Sequence, residues 1–413
     1  MPWKRMAVHE QRMQFVVRAV SGNEPMAALC RAFGVSRPTG YLWRRRYQQA
    51  GSLGELAEQS RRPHHSPTRT AAAIEQQVLA LRQESGWGAK KLQVVLRDEQ
   101  GLRLPVRTIH RILERHGRVR DEGHGPAPTR FQRSAPNQLW QMDTKGKYPL
   151  REGECHPLSI LDDHSRYAVG VYALGELRTV EAYPCLVEIF RCYGLPEAML
   201  MDRGTLWWSP HNGWGLTRLS VRLIEQGIGL LYGRVAHPQT QGKVERFHRT
   251  LGAALRHRGV PQRLADWPAV LAEFRHSYNQ RRPHEALGMQ RPVERYQPSP
   301  RPYQERPREW VYPAGSDVRP LNQQGSLREG SRRWFVCEAL AQQRVRVERF
   351  DGKLLVSYRH MYIREIDLAA GRSRPLVVAR VEPTGEGASP VALRAPDAPP
   401  SPPHSVPKEK SNV

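Results

Sequence analysis

The sequence predicts a multidomain protein with N-terminal all-α helix-turn-helix units, a central α/β core with a mixed sheet, and a small C-terminal β-barrel or β-sheet domain. Apolar residues recur at helical spacing before residue 120, strand and helix patterns alternate between 135 and 300, and short strand patterns follow residue 325. With 413 residues and a hydrophobic share of 39%, the chain is long enough for several packed cores.

The charge balance indicates a polyanionic partner. Lys and Arg number 64 against 40 Asp and Glu, a net charge of +24, and more than half of this excess lies before residue 121, so we expect the front of the chain to hold DNA. No apolar run approaches the roughly 18 to 20 residues that span a bilayer, so no membrane partner is expected. Five scattered cysteines and no secretory signal favour a cytoplasmic, nucleoid-associated protein.

Composition and turn signals predict eight segments. These are a helix-turn-helix domain over 1–58, a basic linker over 59–70, a second helix-turn-helix domain over 71–120, a linker over 121–134, the α/β core over 135–300, a linker over 301–325, a small β domain over 326–380 and a disordered tail over 381–413. The basic linker is either an inert tether or an arm that follows DNA phosphates.

The first helical domain has the turn and capping residues that are typical of a helix-turn-helix unit. Gly34-Val35-Ser36 forms a tight turn, with Ser36 as the N-cap of a third helix over 37–49. Its donors and aromatic rings suit a DNA major groove, and the alternative is a plain three-helix bundle with a solvated basic face. The candidate DNA contacts on this helix are Arg37, Thr39, Tyr41, Arg44 and Arg45.

The second helical domain follows the same plan. After Pro105, a helix over 106–116 carries polar residues around an apolar stripe. Its candidate DNA contacts are Arg107, His110 and Arg111.

Two loops of the core have alternative explanations. Asp162 and Asp163, between two strands of a predicted hairpin, are read as turn formers. A later insertion is either a plug for the core or a loop that stacks on DNA bases, and it contains Trp207, Trp208 and Trp214.

Three carboxylates lie in unusual settings. Asp143 is inside a predicted strand, Asp202 follows the end of another, and Glu245 lies near the start of a helix. An acid in a strand is a poor β former and needs a compensating partner, such as a divalent cation. Two Mg²⁺ ions about 3.5 to 4 Å apart would activate a water or a sugar hydroxyl and stabilise the leaving 3′-oxygen of a phosphodiester.

The stretch from Val235 to Leu251 reads as a loop that leads into a helix. Glu245 and Arg249 share one helical face, whereas an apolar face carries Val244, Phe247, His248 and Leu251. Considered alone, Glu245 is explained by an ion pair with Arg249 on a solvated helix. The candidate DNA contacts in this stretch are His237, Lys243, Arg246 and Arg249.

Four motifs resemble the catalytic core of bacterial insertion-sequence transposases of the retroviral-integrase superfamily. They are W-Q-M-D at 140–143, L-D-D-H-S-R at 161–166, M-D-R-G at 201–204 and H-P-Q-T-Q-G-K-V-E-R-F-H-R-T-L from 237. The resemblance implies a ribonuclease H-like fold, with Asp143, Asp202 and Glu245 as a D-D-E triad for two Mg²⁺ ions, for which Mn²⁺ substitutes. It also implies two helix-turn-helix units that read the terminal inverted repeats of a mobile element.

The implied function is a DNA transposase that cleaves double-stranded DNA to expose 3′-OH ends and joins them to target DNA, as a homodimer or higher homo-oligomer in a synaptic complex. The alternatives are a non-catalytic DNA-binding regulator and a metal-dependent nuclease. Two positions depart from the family pattern. Arg203 stands where many relatives have Asn, and Gly252 stands where many have a basic residue, for which Arg249 is a predicted substitute.

Overall fold

The computed structural model describes residues 8–56, 69–119, 132–209, 215–233 and 242–379. Most of the linkers predicted over 59–70 and 121–134, and the whole tail predicted over 381–413, lie outside these ranges. The chain divides into two compact units, Met1–Ala71 and Ala72–Val413. Among the described residues, no helix is both long enough and apolar enough to cross a membrane.

The first unit is a small helical bundle. Its elements are α1 (Val8–Ser21), α2 (Met26–Ala32), α3 (Arg37–Ala50) and a 3-10 turn at Leu53–Leu56. The Ser36 side chain accepts a hydrogen bond from the Thr39 amide at 3.3 Å, so Ser36 caps α3 as predicted. Gly40 lets α3 approach its neighbours, because a Cβ there would lie 2.6 Å from Cys30 Sγ and 2.8 Å from Phe15 Cζ.

Three helices open the second unit. They are α4 (Ala72–Ser85), α5 (Ala89–Gln100) and α6 (Val106–Arg115). Their apolar faces meet in a common core, in which Leu92, Ile109 and Ile112 are almost fully buried. Glu75 of α4 is buried as well, and its carboxylate pairs with Arg115 of α6, so a buried charge keeps a partner.

A mixed six-stranded sheet forms the centre of the second unit. Its strands are β1 (Trp140–Thr144), β2 (Tyr148–Pro149), β3 (Glu154–Asp162), β4 (Ala168–Leu174), β5 (Ala198–Met201) and β8 (Gly229–Tyr232), and a separate ribbon holds β6 (Trp208–Ser209) and β7 (Gly215–Leu216). The order is β2-β3-β1-β5-β8, with β4 on β3. Strand β1 is antiparallel to β3 and parallel to β5, which confirms the predicted mixed sheet.

Helices cover both faces of this sheet. They are α7 (Thr179–Tyr193), α8 (Arg218–Glu225), α9 (Gly242–Arg258) and α10 (Trp267–His276), the last followed by a π-helical turn at Ser277–Arg281. Successive strand residues point to opposite faces. On β3, Ile160 joins the apolar cluster that contains α7 and α8, whereas Leu161 joins the cluster of α9 and α10.

The C-terminal region is an antiparallel five-stranded sheet. Its strands are β9 (Asp317–Pro320), β12 (Arg344–Phe350), β13 (Lys353–Tyr358), β14 (Met361–Asp367) and β15 (Arg372–Ala379), beside a hairpin of β10 (Ser326–Glu329) and β11 (Arg332–Phe335). The pairing path ends at β15 and β9 among the described residues, so a sheet is shown and a barrel is not. Strand β9 lies within the segment 301–325 that was predicted as a linker, and its four residues ending in Pro320 give only a weak strand pattern. Asp351 and Gly352 form the predicted hairpin turn with positive φ angles.

Candidate active site

Asp143 lies near the end of β1, on the sheet face that α9 covers. Trp140 and Met142 are fully buried on the opposite face, so strand alternation turns Gln141 and Asp143 toward α9. The Asp143 side chain is 17% exposed, and its Oδ1 accepts a hydrogen bond from the Thr144 amide at 2.8 Å. Asp143 therefore lies at the rim of the core, within reach of solvent.

Asp202 directly follows β5, the parallel neighbour of β1. Gln141 pairs with Leu200, and the same register continued by two residues brings Asp143 opposite Asp202. Neighbouring strands are about 4.8 Å apart, so the two aspartates lie side by side at the carboxyl ends of their strands. Oδ1 of Asp202 also accepts a hydrogen bond from the Gly204 amide at 2.8 Å.

The tryptophans after Asp202 belong to the core. Trp207 and Trp208 are 1% and 4% exposed, which supports the plug explanation for them, and Trp214 lies outside the described residues. The Trp207 indole Nε1 donates to Asp202 Oδ1 at 2.6 Å, so a buried ring orients this carboxylate. The Arg203 guanidinium lies 5.2 Å from the centroid of the Trp208 ring.

Glu245 lies in the first turn of α9, where its side chain is exposed. On the other face, Val244, Phe247 and Leu251 are buried, as the helical spacing predicts. The Val244 amide donates to the side-chain oxygen of Gln141 at 3.3 Å. This bond ties the first turn of α9, and with it Glu245, to the strand that carries the first aspartate.

The charges of Asp202 and Glu245 act on Asp143. Burial raises the pKa of Asp143 to about 7, and the charges of Asp202 and Glu245 contribute to the increase. The described residues contain no group of three His, Cys, Asp or Glu side chains already arranged to hold a metal ion. Carboxylate oxygens are nevertheless the hard ligands that Mg²⁺ prefers.

His248 is a neighbour of Asp143 whose importance the sequence did not reveal. Its Nδ1 lies 3.6 Å from Asp143 Oδ2, and its Nε2 is buried without a hydrogen-bond partner among the described residues. Burial and the charge of Lys145 lower the pKa of His248 to about 4, so the ring is neutral at neutral pH. The available signal was the i,i+3 spacing of Glu245 and His248, which is used in carboxylate metal sites on helices.

Lys145, just after β1, reaches across Gly252 of α9. A Cβ on Gly252 would lie 3.2 Å from Lys145 Cε and 3.4 Å from its Nζ, so the glycine provides the space for this side chain. The ammonium also lies 5.5 Å from the centroid of the Tyr148 ring. A cation therefore lies against position 252 although α9 itself has no basic residue there.

Asp162 and Asp163 are more than turn formers. The turn between β3 and β4 is confirmed, but both side chains are fully buried. Asp162 accepts hydrogen bonds from the Asn137 amide at 2.7 Å and from the amide and hydroxyl of Ser165 at 2.7 and 2.6 Å. Donors from two loops converge on this carboxylate, which local sequence does not reveal.

Asp163 connects β1 to α9. It accepts hydrogen bonds from the Gln141 side chain and the Arg133 amide, each at 2.8 Å, and it forms an ion pair with Lys243. Burial lowers the pKa of Lys243 to about 8 despite this pair, and its side chain is 16% exposed. Lys243, predicted to contact DNA, is therefore in this structure a partner of Asp163 that positions α9.

All but one of the remaining predicted DNA contacts lie on three helices. On α3, Arg37, Tyr41 and Arg45 are exposed, and Thr39 and Arg44 are half-buried. On α6 the exposed residues are Arg107, His110 and Arg111, and on α9 they are Arg246 and Arg249. His237 lies outside the described residues.

Family models match four parts of the chain. Models of the integrase core domain match residues 133–238 and 226–292. A helix-turn-helix domain matches residues 11–64, and a homeodomain-like domain matches residues 39–113.

Two curated relatives are viral polyproteins. The chain is 28% identical over 147 residues to the Gag-Pol polyprotein of Baboon endogenous virus (strain M7), a match that covers 36% of this chain and 8% of the polyprotein. It is also 28% identical over 194 residues to the Gag-Pol polyprotein of Feline leukemia virus. This match covers 44% of this chain and 11% of the polyprotein. The chain thus spans about a tenth of the length of these relatives.

Solved structures also resemble this chain. The HTLV-2 integrase catalytic core domain in complex with magnesium is 14% identical, with a TM-score of 0.31 over 39% of this chain and 97% of that one. The simian T-cell lymphotropic virus intasome in complex with PP2A regulatory subunit B56 gamma is 16% identical, with a TM-score of 0.35 over 74% of this chain and 100% of that one. The matches to the family models are more specific than these structural resemblances. They agree with the four sequence motifs. The chain carries an integrase core domain preceded by helix-turn-helix domains, an organisation consistent with an insertion-sequence transposase of the retroviral-integrase superfamily.

Proposed function

We propose that the protein is a DNA transposase that binds the terminal inverted repeats of its mobile element, cleaves to expose 3′-OH ends and joins these ends to target DNA. The observation that supports the proposal is that Asp143 and Asp202 lie at the ends of neighbouring strands, where the charges of Asp202 and Glu245 add to burial in raising the pKa of Asp143. Mutually repelling acids at the end of a sheet cost stability, and such sites are typically kept for function.

The three carboxylates fit a pair of Mg²⁺ ions, for which Mn²⁺ would substitute. When bound, the ions supply an activated water or sugar hydroxyl and stabilise the leaving 3′-oxygen of the phosphodiester. The surrounding residues orient the acids. Trp207 holds Asp202, and the Gln141 side chain fixes the first turn of α9 and so the position of Glu245. Neutral His248 leaves the charge of Asp143 uncompensated, which favours a cation.

Lys145 is proposed to contact a DNA phosphate beside the active site. Its ammonium lies against Gly252, and its charge adds to burial in lowering the pKa of His248, the neighbour of Asp143. A compact ammonium binds phosphate as a point charge. Lys145 would thereby compensate for the missing basic residue at position 252, together with Arg249.

The two helix-turn-helix domains, proposed at 1–58 and 71–120, would read the element ends through α3 and α6. The core at 135–300 would perform both cleavage and joining. Because two ends are joined in one event, we propose a homodimer or higher homo-oligomer that synapses them in the bacterial cytoplasm, at the nucleoid.

A strand-transfer assay tests this function. Full-length protein is incubated with a labelled duplex that carries the inverted repeat flanking the coding region, a target plasmid, and Mg²⁺ or Mn²⁺. We expect a joined product from the wild type and none from Asp143→Ala, Asp202→Ala or Glu245→Ala, all of which should still bind the duplex.

Each other outcome identifies an alternative. Cleaved but unjoined ends would indicate a metal-dependent nuclease. Specific binding without any product would indicate a non-catalytic regulator. Equal products from the wild type and all three variants would contradict the assignment of the triad.

A further inference from the structure

Arg281 and Arg282, adjacent in sequence, have opposite surroundings. The Arg281 guanidinium forms ion pairs with Glu84 at 2.5 Å and Glu99 at 2.8 Å, which attach α4 and α5 to the core. The Nε of Arg282 is buried and has no hydrogen-bond partner among the described residues. Arg281 is therefore used in packing, whereas Arg282 leaves a donor unused.

Further cations surround Arg282. Burial lowers the pKa of Arg282, and among the nearby charges Arg246 of α9 lowers it further. Burial, Arg282 and Arg246 likewise lower the pKa of Lys91 of α5. His284 lies in the same group, because burial, Arg282 and Lys91 lower its pKa to about 3. The charge of exposed Arg246 therefore acts on both Lys91 and Arg282, and burial lowers the pKa of these two residues.

The carboxylate that pairs with Lys91 is partly screened by solvent. Glu285 Oε1 lies 3.2 Å from Lys91 Nζ, but the Glu285 side chain is 53% exposed, so solvent screens its charge. The Nε2 of His284 is also buried without a hydrogen-bond partner in the described part of the chain. Gathering cations and unused polar atoms in this way is unfavourable unless an anion completes the group.

We propose that Lys91, Arg246 and Arg282 bind one backbone phosphate of DNA where α5 meets the catalytic core. The inference rests on the proposed function. Arg246 directly follows Glu245, and Lys91 lies on the helix that packs against α6. A duplex that is held by α6 and cleaved at the triad would pass this junction, and guanidinium and ammonium groups are the side chains that bind phosphate oxygens.

The salt dependence of DNA binding tests the proposal. We measure the affinity of full-length protein for the end duplex at several salt concentrations. Lys91→Met should weaken binding about tenfold, since a hydrogen bond to a charged group is lost. It should also lower the slope of log affinity against log salt by about 0.9, the value for one phosphate contact. The weakening should be equal for end DNA and for a scrambled duplex, because a phosphate carries no sequence information.

Two further variants separate binding from packing. Arg97→Gln removes the same charge from another side of α5, where Arg97 is exposed and pairs with Asp98, and should leave the slope unchanged. Glu285→Gln removes the competing carboxylate and should strengthen DNA binding. If Lys91 served only to pair with Glu285, both Lys91→Met and Glu285→Gln would instead lower the melting temperature without changing the slope, which would overturn the proposal.

A phosphate control distinguishes DNA from a small anion. If inorganic phosphate raises the melting temperature of the wild type but not of Lys91→Met, while the salt slopes for DNA are equal, the site binds free phosphate and the DNA assignment is wrong. An unchanged slope in Lys91→Met, with joining intact in the wild type, refutes this inference alone. Failure of the wild type to bind or join the end duplex refutes the proposed function itself.

Discussion

Two groups of carboxylates in the central domain have contrasting surroundings. Asp162 and Asp163 are fully buried, and each accepts hydrogen bonds from at least three donors. Asp143 and Asp202 are partly exposed and accept bonds from one and two donors, and Glu245 is exposed on the first turn of its helix. The first group is satisfied within the protein, and the second is not.

This difference separates acids that stabilise the fold from acids that are proposed to act in the reaction. A buried carboxylate persists only where donors and cations replace its water, so Asp162 and Asp163 must stabilise the fold. Burial and the charges of Asp202 and Glu245 raise the pKa of Asp143, so we expect a cation from outside the chain to stabilise this group. Loss of an acid should therefore reduce stability in the first group and activity in the second.

The largest effect is expected for Asp143→Asn. A metal site contributes several kcal/mol to transition-state stabilisation, which at about 1.4 kcal/mol per factor of ten corresponds to a loss of joining of at least about 10³-fold. The melting temperature without metal should be unchanged or higher, because one of three repelling charges is removed. The exposed Glu152→Gln, with the same change of charge, should retain activity. A marked loss of stability in Asp143→Asn would instead place Asp143 with Asp162 and Asp163, the acids that stabilise the fold.

The next largest effect is expected for Asp163→Ala. Removing one partner of a buried ion pair costs about 3 to 5 kcal/mol, because Lys243 is left without its carboxylate. Urea unfolding should show this decrease. Asp163→Leu combined with Lys243→Met should recover only part of it, since the donors of Gln141 and Arg133 remain unsatisfied. A single variant as stable as the wild type would contradict the architectural role.

The sequence singles out the second group of acids more readily than the first. Asp143 was recognisable because an acid inside an apolar strand contradicts its local pattern, and Glu245 because helical spacing separates it from a buried face. Local chemistry also sufficed for the cap at Ser36 and the turn at Asp351-Gly352. These features depend on neighbours within a few residues.

Long-range contacts could not be predicted in the same way. Asp163 looks like any turn aspartate until the fold brings Lys243, 80 residues away, into contact. In the sequence, Gly252 stands where a basic residue is expected, and only the structure shows that the Lys145 side chain lies across it. Strand β9 is recognisable only through its pairing with β12.

A smaller effect is expected for Lys145→Ala. Loss of a charged hydrogen bond to a phosphate costs about 1.5 kcal/mol or more, so joining should fall about tenfold, with the triad and its metal requirement unchanged. Lys147→Ala is the matched control, because Lys147 is exposed and pairs with Glu154 at 2.7 Å. Equal activity of the two variants would show that the ammonium beside the triad does not bind DNA.

The smallest effect is expected for Gly252→Ala, and it should be favourable for stability. Alanine exceeds glycine in helix propensity by about 1 kcal/mol, and the atoms nearest to the new Cβ would be the flexible end of Lys145, 3.2 Å away at its Cε, and Arg256 Nη1 at 3.5 Å. A shift of a few tenths of an ångström would accommodate it, so urea unfolding should show equal or greater stability and joining should change little. A loss of joining as large as that of Lys145→Ala, with stability retained, would show that the position of this ammonium, and not only its charge, is required beside the three acids.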